Sequence, residues 1–254
     1  LLAGLRIGLP LHARARRAYL VGGLGTFGAM ALTYWGSRFL HSGLVSVLWG
    51  LSPLLTGVLA ALWLGERSFT PGKIGGTLLG VLGLALIFLQ GDSLGGAHAL
   101  AGLLALLGAV SIHTVVIIRL KLIGDDSPPL ATTVGSLCVA VPLFALLWLI
   151  DDGVLPAALP SRTGWAIAYL GVFGSVVGFA LYYYIIKHLN AARVSLITLV
   201  TPVLALLLGH LLNGEIIAPR LWLGAATILG GLALHQWEAL QPLLLQGWSR
   251  LHTA

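Results

Sequence analysis

Charge is what this chain has least of. Of its 254 residues, 14 are Lys or Arg and 8 are Asp or Glu, so 9% are charged and 58% are hydrophobic. A soluble domain carries roughly 25% charged residues. A chain this apolar cannot cover itself in water. Cysteine is almost missing too: Cys138 stands alone, which excludes a disulfide framework and a CxxC redox pair. All eight acids (Glu66, Asp92, Asp125, Asp126, Asp151, Asp152, Glu215 and Glu238) fall at the ends of apolar stretches or between them. A carboxylate proton relay at a bilayer centre is therefore not expected. There is no HExxH, no GxSxG, no Walker lysine loop and no glycine-rich nucleotide fingerprint following a strand. An enzyme needs a nucleophile, a base or a metal constellation. None is legible, so the chain reads as no enzyme, with no cofactor or metal, and as a system not driven by ATP.

What is present is a series of apolar stretches. A hydrocarbon core about 30 Å thick is crossed by roughly 20 apolar residues in a helix. Eight stretches qualify: Ala18 to Phe39, Gly43 to Gly65, Gly72 to Gln90, Ala97 to Ile118, Leu130 to Ile150, Gly164 to Ile186, Ala192 to Leu212 and Leu221 to Trp237. Each segment in lipid must satisfy its own backbone polar groups, and none alternates as a barrel strand would, so all are read as helices.

The series is internally repeated. Pro53, Gly65, Glu66 and Gly75 recur as Pro202, Gly214, Glu215 and Gly224, each pair 149 positions apart. Tyr34 with Tyr183, Ser46 with Ser195 and Leu55 with Leu204 keep the same offset. A repeated apolar unit of this size points to a carrier built from two related halves with its solute path between them. The expected division is residues 1–94 for the first half, 95–240 for the second and 241–254 for a cytoplasmic tail. The tail has the pattern of an interfacial helix or of a disordered end. Two full helices precede the Gly164 stretch, whereas only the stub Leu1 to Leu11 precedes Ala18. One helix and most of a second are thus expected upstream of Leu1, five helices per half in the whole.

Loop charges set the orientation. Alternating sides from the basic run at Arg14, Arg16 and Arg17 puts these three with Arg67, Lys73, Arg119, Lys121, Lys187, Arg193 and Arg250 in the cytoplasm. Only Arg38, Arg162 and Arg220 fall outside, a positive-inside bias. The net charge of +6 then faces anionic lipid rather than nucleic acid. Five spans lie between Glu66 and Glu215, so these matched residues are expected at opposite surfaces. The halves are inverted.

Pro53 and Pro202 fall near the middle of their helices, where each ring removes a hydrogen bond to the carbonyl four residues earlier, those of Trp49 and Thr198. Simple kinks are the plain reading of such prolines. Their symmetric placement also marks them as candidates for a solute site, since interrupted helices expose backbone polar groups at membrane depth. Polar and aromatic side chains near them are few: Tyr34, Trp35 and Trp49 in one half, Tyr182, Tyr183, Tyr184 and Thr198 in the other. Tyr183 is preferred among the tyrosines because its repeat mate is Tyr34. His113, flanked by Ser111 and Thr114, is a further candidate, a neutral hydrogen-bonded histidine being the alternative. Glu66 and Glu215 are candidate gates or solvated flanks. The glycines of Gly72 to Gly83 and of Gly224 to Gly231 suit close helix packing within the chain, with a homodimer contact as the alternative.

These residues resemble a known family. Tyr34, Ser46, Pro53-Leu54-Leu55, Leu64-Gly65-Glu66 and Gly75-Gly76, repeated as Tyr183, Ser195, Pro202-Val203-Leu204, Gly214-Glu215 and Gly224, are similar to the EamA-type branch of the drug/metabolite transporter superfamily. The resemblance implies an all-α polytopic membrane helix bundle of two inverted five-helix repeats in a bacterial inner membrane. It also implies export or exchange of small metabolites, amino acids or drugs. A lipid or lipid-linked flippase is the alternative function, and a membrane-embedded enzyme a more distant one.

Overall fold

The structure is a computed structural model and describes residues 8–64, 70–88, 98–151, 153–154, 160–177, 181, 191–214, 218–237 and 241, without the side chains of residues 64, 88, 175–176, 191–199 and 213. All the regular elements described are helical. They are α1 (Ala13–Gly36), α2 (Ser42–Trp49), α3 (Ser52–Leu64), α4 (Pro71–Phe88), α5 (Ala99–Ile123), α6 (Pro129–Asp151), α7 (Ser161–Tyr169), α8 (Ala191–Asn213) and α9 (Pro219–His235). A short 3₁₀ turn, Ser37–Phe39, follows α1, and α7 continues as a π-helical stretch, Leu170–Val177. By length and composition, three helical segments can cross a membrane: Ser42–Trp63, Ala99–Ile123 and Pro129–Asp151. Pro71–Ile87 and Val200–Leu212 are shorter apolar helices. The eight expected spans are thus present as helices whose described parts differ in length. One of them is broken.

Large apolar side chains are exposed along the helices. Leu20 and Leu24, Leu78 and Leu82, Leu100 and Leu104, and Leu207 and Leu211 are all exposed, each pair four residues apart and therefore on one helical face. Such outward stripes would be a liability in water and are what lipid accepts.

Packing between helices relies on small residues because lipid removes the hydrophobic drive to associate. The most extensive pair is α4 with α9. A Cβ on Gly76 would strike the Gly231 carbonyl, one on Gly231 would strike the Gly76 carbonyl, and one on Gly83 would strike the Gly224 carbonyl. Residue 76 thus meets 231, and 83 meets 224, so the two helices run antiparallel. The small-residue faces of Gly76, Gly83, Gly224 and Gly231 are filled within the chain.

α2 packs on α8, again antiparallel, with Gly43 against Leu206 and Gly50 beside Pro202. α1 lies across α5 and α6. The main apolar cluster (Leu44, Val47, Leu48, Leu51 and Leu54 with Ile87, Leu103, Leu106, Leu206, Ile228 and Leu232) joins α2, α3, α4, α5, α8 and α9 around the middle of the chain's packing. At one end of α1, His12 and Asp125 are 2.8 Å apart, tying the start of α1 to the loop between α5 and α6.

α2 and α3 together span 42–64, and α8 spans 191–213. These ranges match at the 149-residue offset at both ends. Their interiors differ. In the first, Leu51 N–H donates to the Leu48 carbonyl, a three-residue closure, at the break before Pro53. In the second, Pro202 sits inside an uninterrupted helix. Gly50 of the first copy is Leu199 in the second. Glycine weakens a helix by about 1 kcal/mol relative to alanine, so Gly50 with Pro53 opens what Leu199 with Pro202 keeps closed.

Candidate functional site

An open cleft lies beside the break between α2 and α3. A chamber of about 310 Å³ is lined by Ser46, Trp49, Gly50, Ser52 and Pro53 from this side. His113 of α5 and Thr201 and Pro202 of α8 complete its lining. Trp49 and His113 meet edge to face, with ring centroids 5.1 Å apart and planes at 66°. An edge-to-face contact lets the ring quadrupole attract a positive edge and fixes both rings. A Cβ on Gly50 would lie 3.6 Å from Pro202 Cγ, an ordinary contact distance, so this turn of the first copy packs directly against the second proline.

A second chamber, about 440 Å³, begins at the same two residues, Ser52 and Pro53, and runs along α3 past Thr56, Gly57 and Ala60. Lys73 from α4 and Ile117, Ile118 and Lys121 from α5 complete its wall. The two chambers adjoin at the broken helix. Near its outer end Arg119 lies over the Trp63 ring, 5.7 Å from the centroid. This end of α5 also leads to the loop holding Asp125. Burial works to raise the Asp125 carboxyl, but Ser127 and His12 beside it outweigh that and hold it below the ordinary carboxylate value.

The structure thus gathers Trp49, Pro53, His113 and Pro202 into one wall. Tyr34 is elsewhere: it is 62% exposed, with its ring 6.5 Å from that of Phe144 on α6. Thr198 belongs to α8 by its backbone, and its side chain lies outside the described residues, as do Tyr183, Glu66 and Glu215 altogether. Sequence reasoning did not single out Ser52, Thr201 and Gly50. A signal existed for the first two: each is the hydroxyl residue directly before a paired proline, and they are 149 positions apart. Among the described residues no cluster of three or more His, Cys, Asp or Glu side chains that could hold a metal is formed.

The family model of the EamA-like transporter family matches the chain in two stretches, residues 3–89 and 100–235. The chain belongs to the EamA-like transporter family. It is similar to an uncharacterized protein of Pseudomonas aeruginosa, 35% identical over 91% of this chain and 79% of that one. It is also similar to an uncharacterized transporter of Archaeoglobus fulgidus, 26% identical over 82% and 74% of the two chains. A probable terminal-alkyne amino-acid exporter of Streptantibioticus cattleyicolor is 28% identical over 89% of this chain and 76% of its own. A solved crystal structure of a protein 23% identical in sequence shares the fold, with a TM-score of 0.60 over 94% of this chain and 82% of that one. The chain is accordingly an integral-membrane transporter of a small-molecule substrate, and the plain reading of its outward apolar faces is contact with lipid.

Proposed function

We propose that this EamA-like protein is a secondary transporter that exports or exchanges small metabolites, amino acids or drugs across a bacterial inner membrane. It works by alternating access between two inverted repeats. The observation that carries this reading is the meeting of Pro53 and Pro202 at one chamber: the matched prolines of the two sequence copies face the same cavity. Antiparallel packing of α4 on its sequence counterpart α9, and of α2 on α8, supports inversion. Two copies running in opposite senses can exchange roles, so that the chamber opens first to one side and then to the other.

Chemistry at the chamber suits recognition without catalysis. The aromatic faces of Trp49 and His113 offer an apolar platform, and Ser46, Ser52 and Thr201 offer hydroxyls for orientation. The break at Pro53 leaves backbone groups to be satisfied by solute or water. The amino-acid exporter among the relatives supports amino acids as one substrate class. Glu66 and Glu215 remain the proposed gates, and Tyr183 a proposed path residue.

The test is uptake and efflux of a metabolite and drug panel in proteoliposomes holding the full-length protein, compared with Trp49→Ala and His113→Ala. Wild type should move at least one solute, and each variant should slow it about tenfold or more while keeping a single monodisperse peak in detergent. Folded variants running at the wild-type rate would exclude this chamber as the path.

A further inference from the structure

We propose that the second chamber is an anion-selecting vestibule, and that the transported solute is a small organic anion with an apolar body, its carboxylate or phosphate drawn in by Lys73 and Lys121. This rests on the transporter reading above and names its substrate class. Lys73 comes from the first turn of α4 and Lys121 from the last turn of α5, two helices separated by α3, yet both line one chamber. A positive-inside bias alone asks only that lysines sit at the cytoplasmic surface. It does not ask that two of them face the same concavity. Lys73 is half-buried there, and the remaining wall between the two cations is apolar or hydroxyl-bearing.

A cleft lined by one sign of charge between low-dielectric walls focuses the field and concentrates the opposite sign within it. The His235 ring packs onto Gly57, a lining residue, and the charge at this end comes from the two lysines. Deeper in, the cations stop. The first chamber presents Trp49, two prolines and His113, a surface for the apolar part of the solute, and the chambers share Ser52 and Pro53. A solute with a charged head and an apolar body would thus meet the cations first and the rings second.

The experiment uses three probes of one shape and different charge: phenylacetate, phenylacetamide and phenethylamine. Binding to the full chain in neutral detergent is measured by calorimetry, and net movement in proteoliposomes of purely zwitterionic lipid. Phenylacetate should bind at least tenfold more tightly than the amide or the amine, and weaken several-fold between about 20 mM and about 200 mM salt as screening shortens. Lys73→Gln and Lys121→Gln should each raise its KM about tenfold with kcat little changed, whereas Lys73→Arg and Lys121→Arg should restore it. Amide or amine bound as tightly as the acid, or an acid affinity indifferent to salt and to both glutamine variants, would overturn the vestibule. If Trp49→Ala still abolished movement of a solute in that case, the transporter reading would stand alone. Wild type that moves none of the probes and none of the wider panel would overturn both.

Discussion

One proline, written twice, has two structural outcomes. Around Pro53 the helix parts into α2 and α3; around Pro202 α8 runs through. The difference lies three residues upstream, where Gly50 stands against Leu199. A proline alone removes one hydrogen bond and kinks; a proline behind a glycine leaves the turn with too little local preference to hold. The consequence is asymmetric chemistry in a site built from matched parts. The first copy contributes the opening and Trp49, and the second contributes His113 and a continuous wall of Thr201 and Pro202.

The largest effect should come from making the two copies alike. Gly50→Leu installs the residue of the second copy, but the new side chain would enter the space between Val47, Pro202 and the chamber. Transport should be lost, with a stability loss of about 1–3 kcal/mol from overpacking, read from vesicle flux and from thermal melting in detergent. A functional Gly50→Leu protein would show that the break is not needed.

Next in size, Pro53→Ala should slow transport about tenfold by letting α2 and α3 join, while Pro202→Ala should slow it only about twofold because α8 is already whole. Helix continuity is checked by hydrogen exchange at residues 50–54, where protection should rise in Pro53→Ala. Equal effects at both prolines would break the comparison.

A smaller effect is expected where the copies do not correspond. Trp49 pairs with His113 of α5, an aromatic contact. A double-mutant cycle of Trp49→Ala and His113→Ala, read by solute affinity, should give a coupling of about 0.5–1.5 kcal/mol. Additive losses would mean that the two rings act apart.

The smallest effect is at the far end of α1. Because the Asp125 carboxyl is held below its ordinary value in the fold, its contribution is present at pH above the ordinary carboxylate range and lost as pH falls through the lowered value. Asp125→Asn should therefore lower the melting temperature slightly at pH 6. At pH 3 the gap should narrow, since wild type loses part of the same contribution there.

Much of this was legible before any coordinates. The shortage of charge placed the chain in lipid, and the 149-residue offset paired the prolines, because both depend only on which residues occur and how they recur. Helix ends were legible to within a few residues: Leu130 to Ile150 became Pro129–Asp151, and Ala192 to Leu212 became Ala191–Asn213. The start of α1 moved from Ala18 to Ala13, since arginines at a membrane surface continue a helix as well as apolar residues do. The break after Trp49 was not foreseen as a break. Apolar periodicity is blind to it, for Gly50 and Leu51 are as compatible with lipid as any helix interior.

The residues alone determined the solvent, the helical class, the doubling of the chain and its family, because composition and recurrence are properties of the string. Tertiary structure alone decided that His113 joins Trp49, that Ser52 and Thr201 share a wall, that Tyr34 turns outward and that Lys73 and Lys121 line one chamber. Those outcomes depend on which face of each helix a neighbour covers, and a helix of uniformly apolar residues carries no stripe to announce its inner face. Glycine contacts such as Gly76 on Gly231 choose the faces, and they exist only once two helices have met.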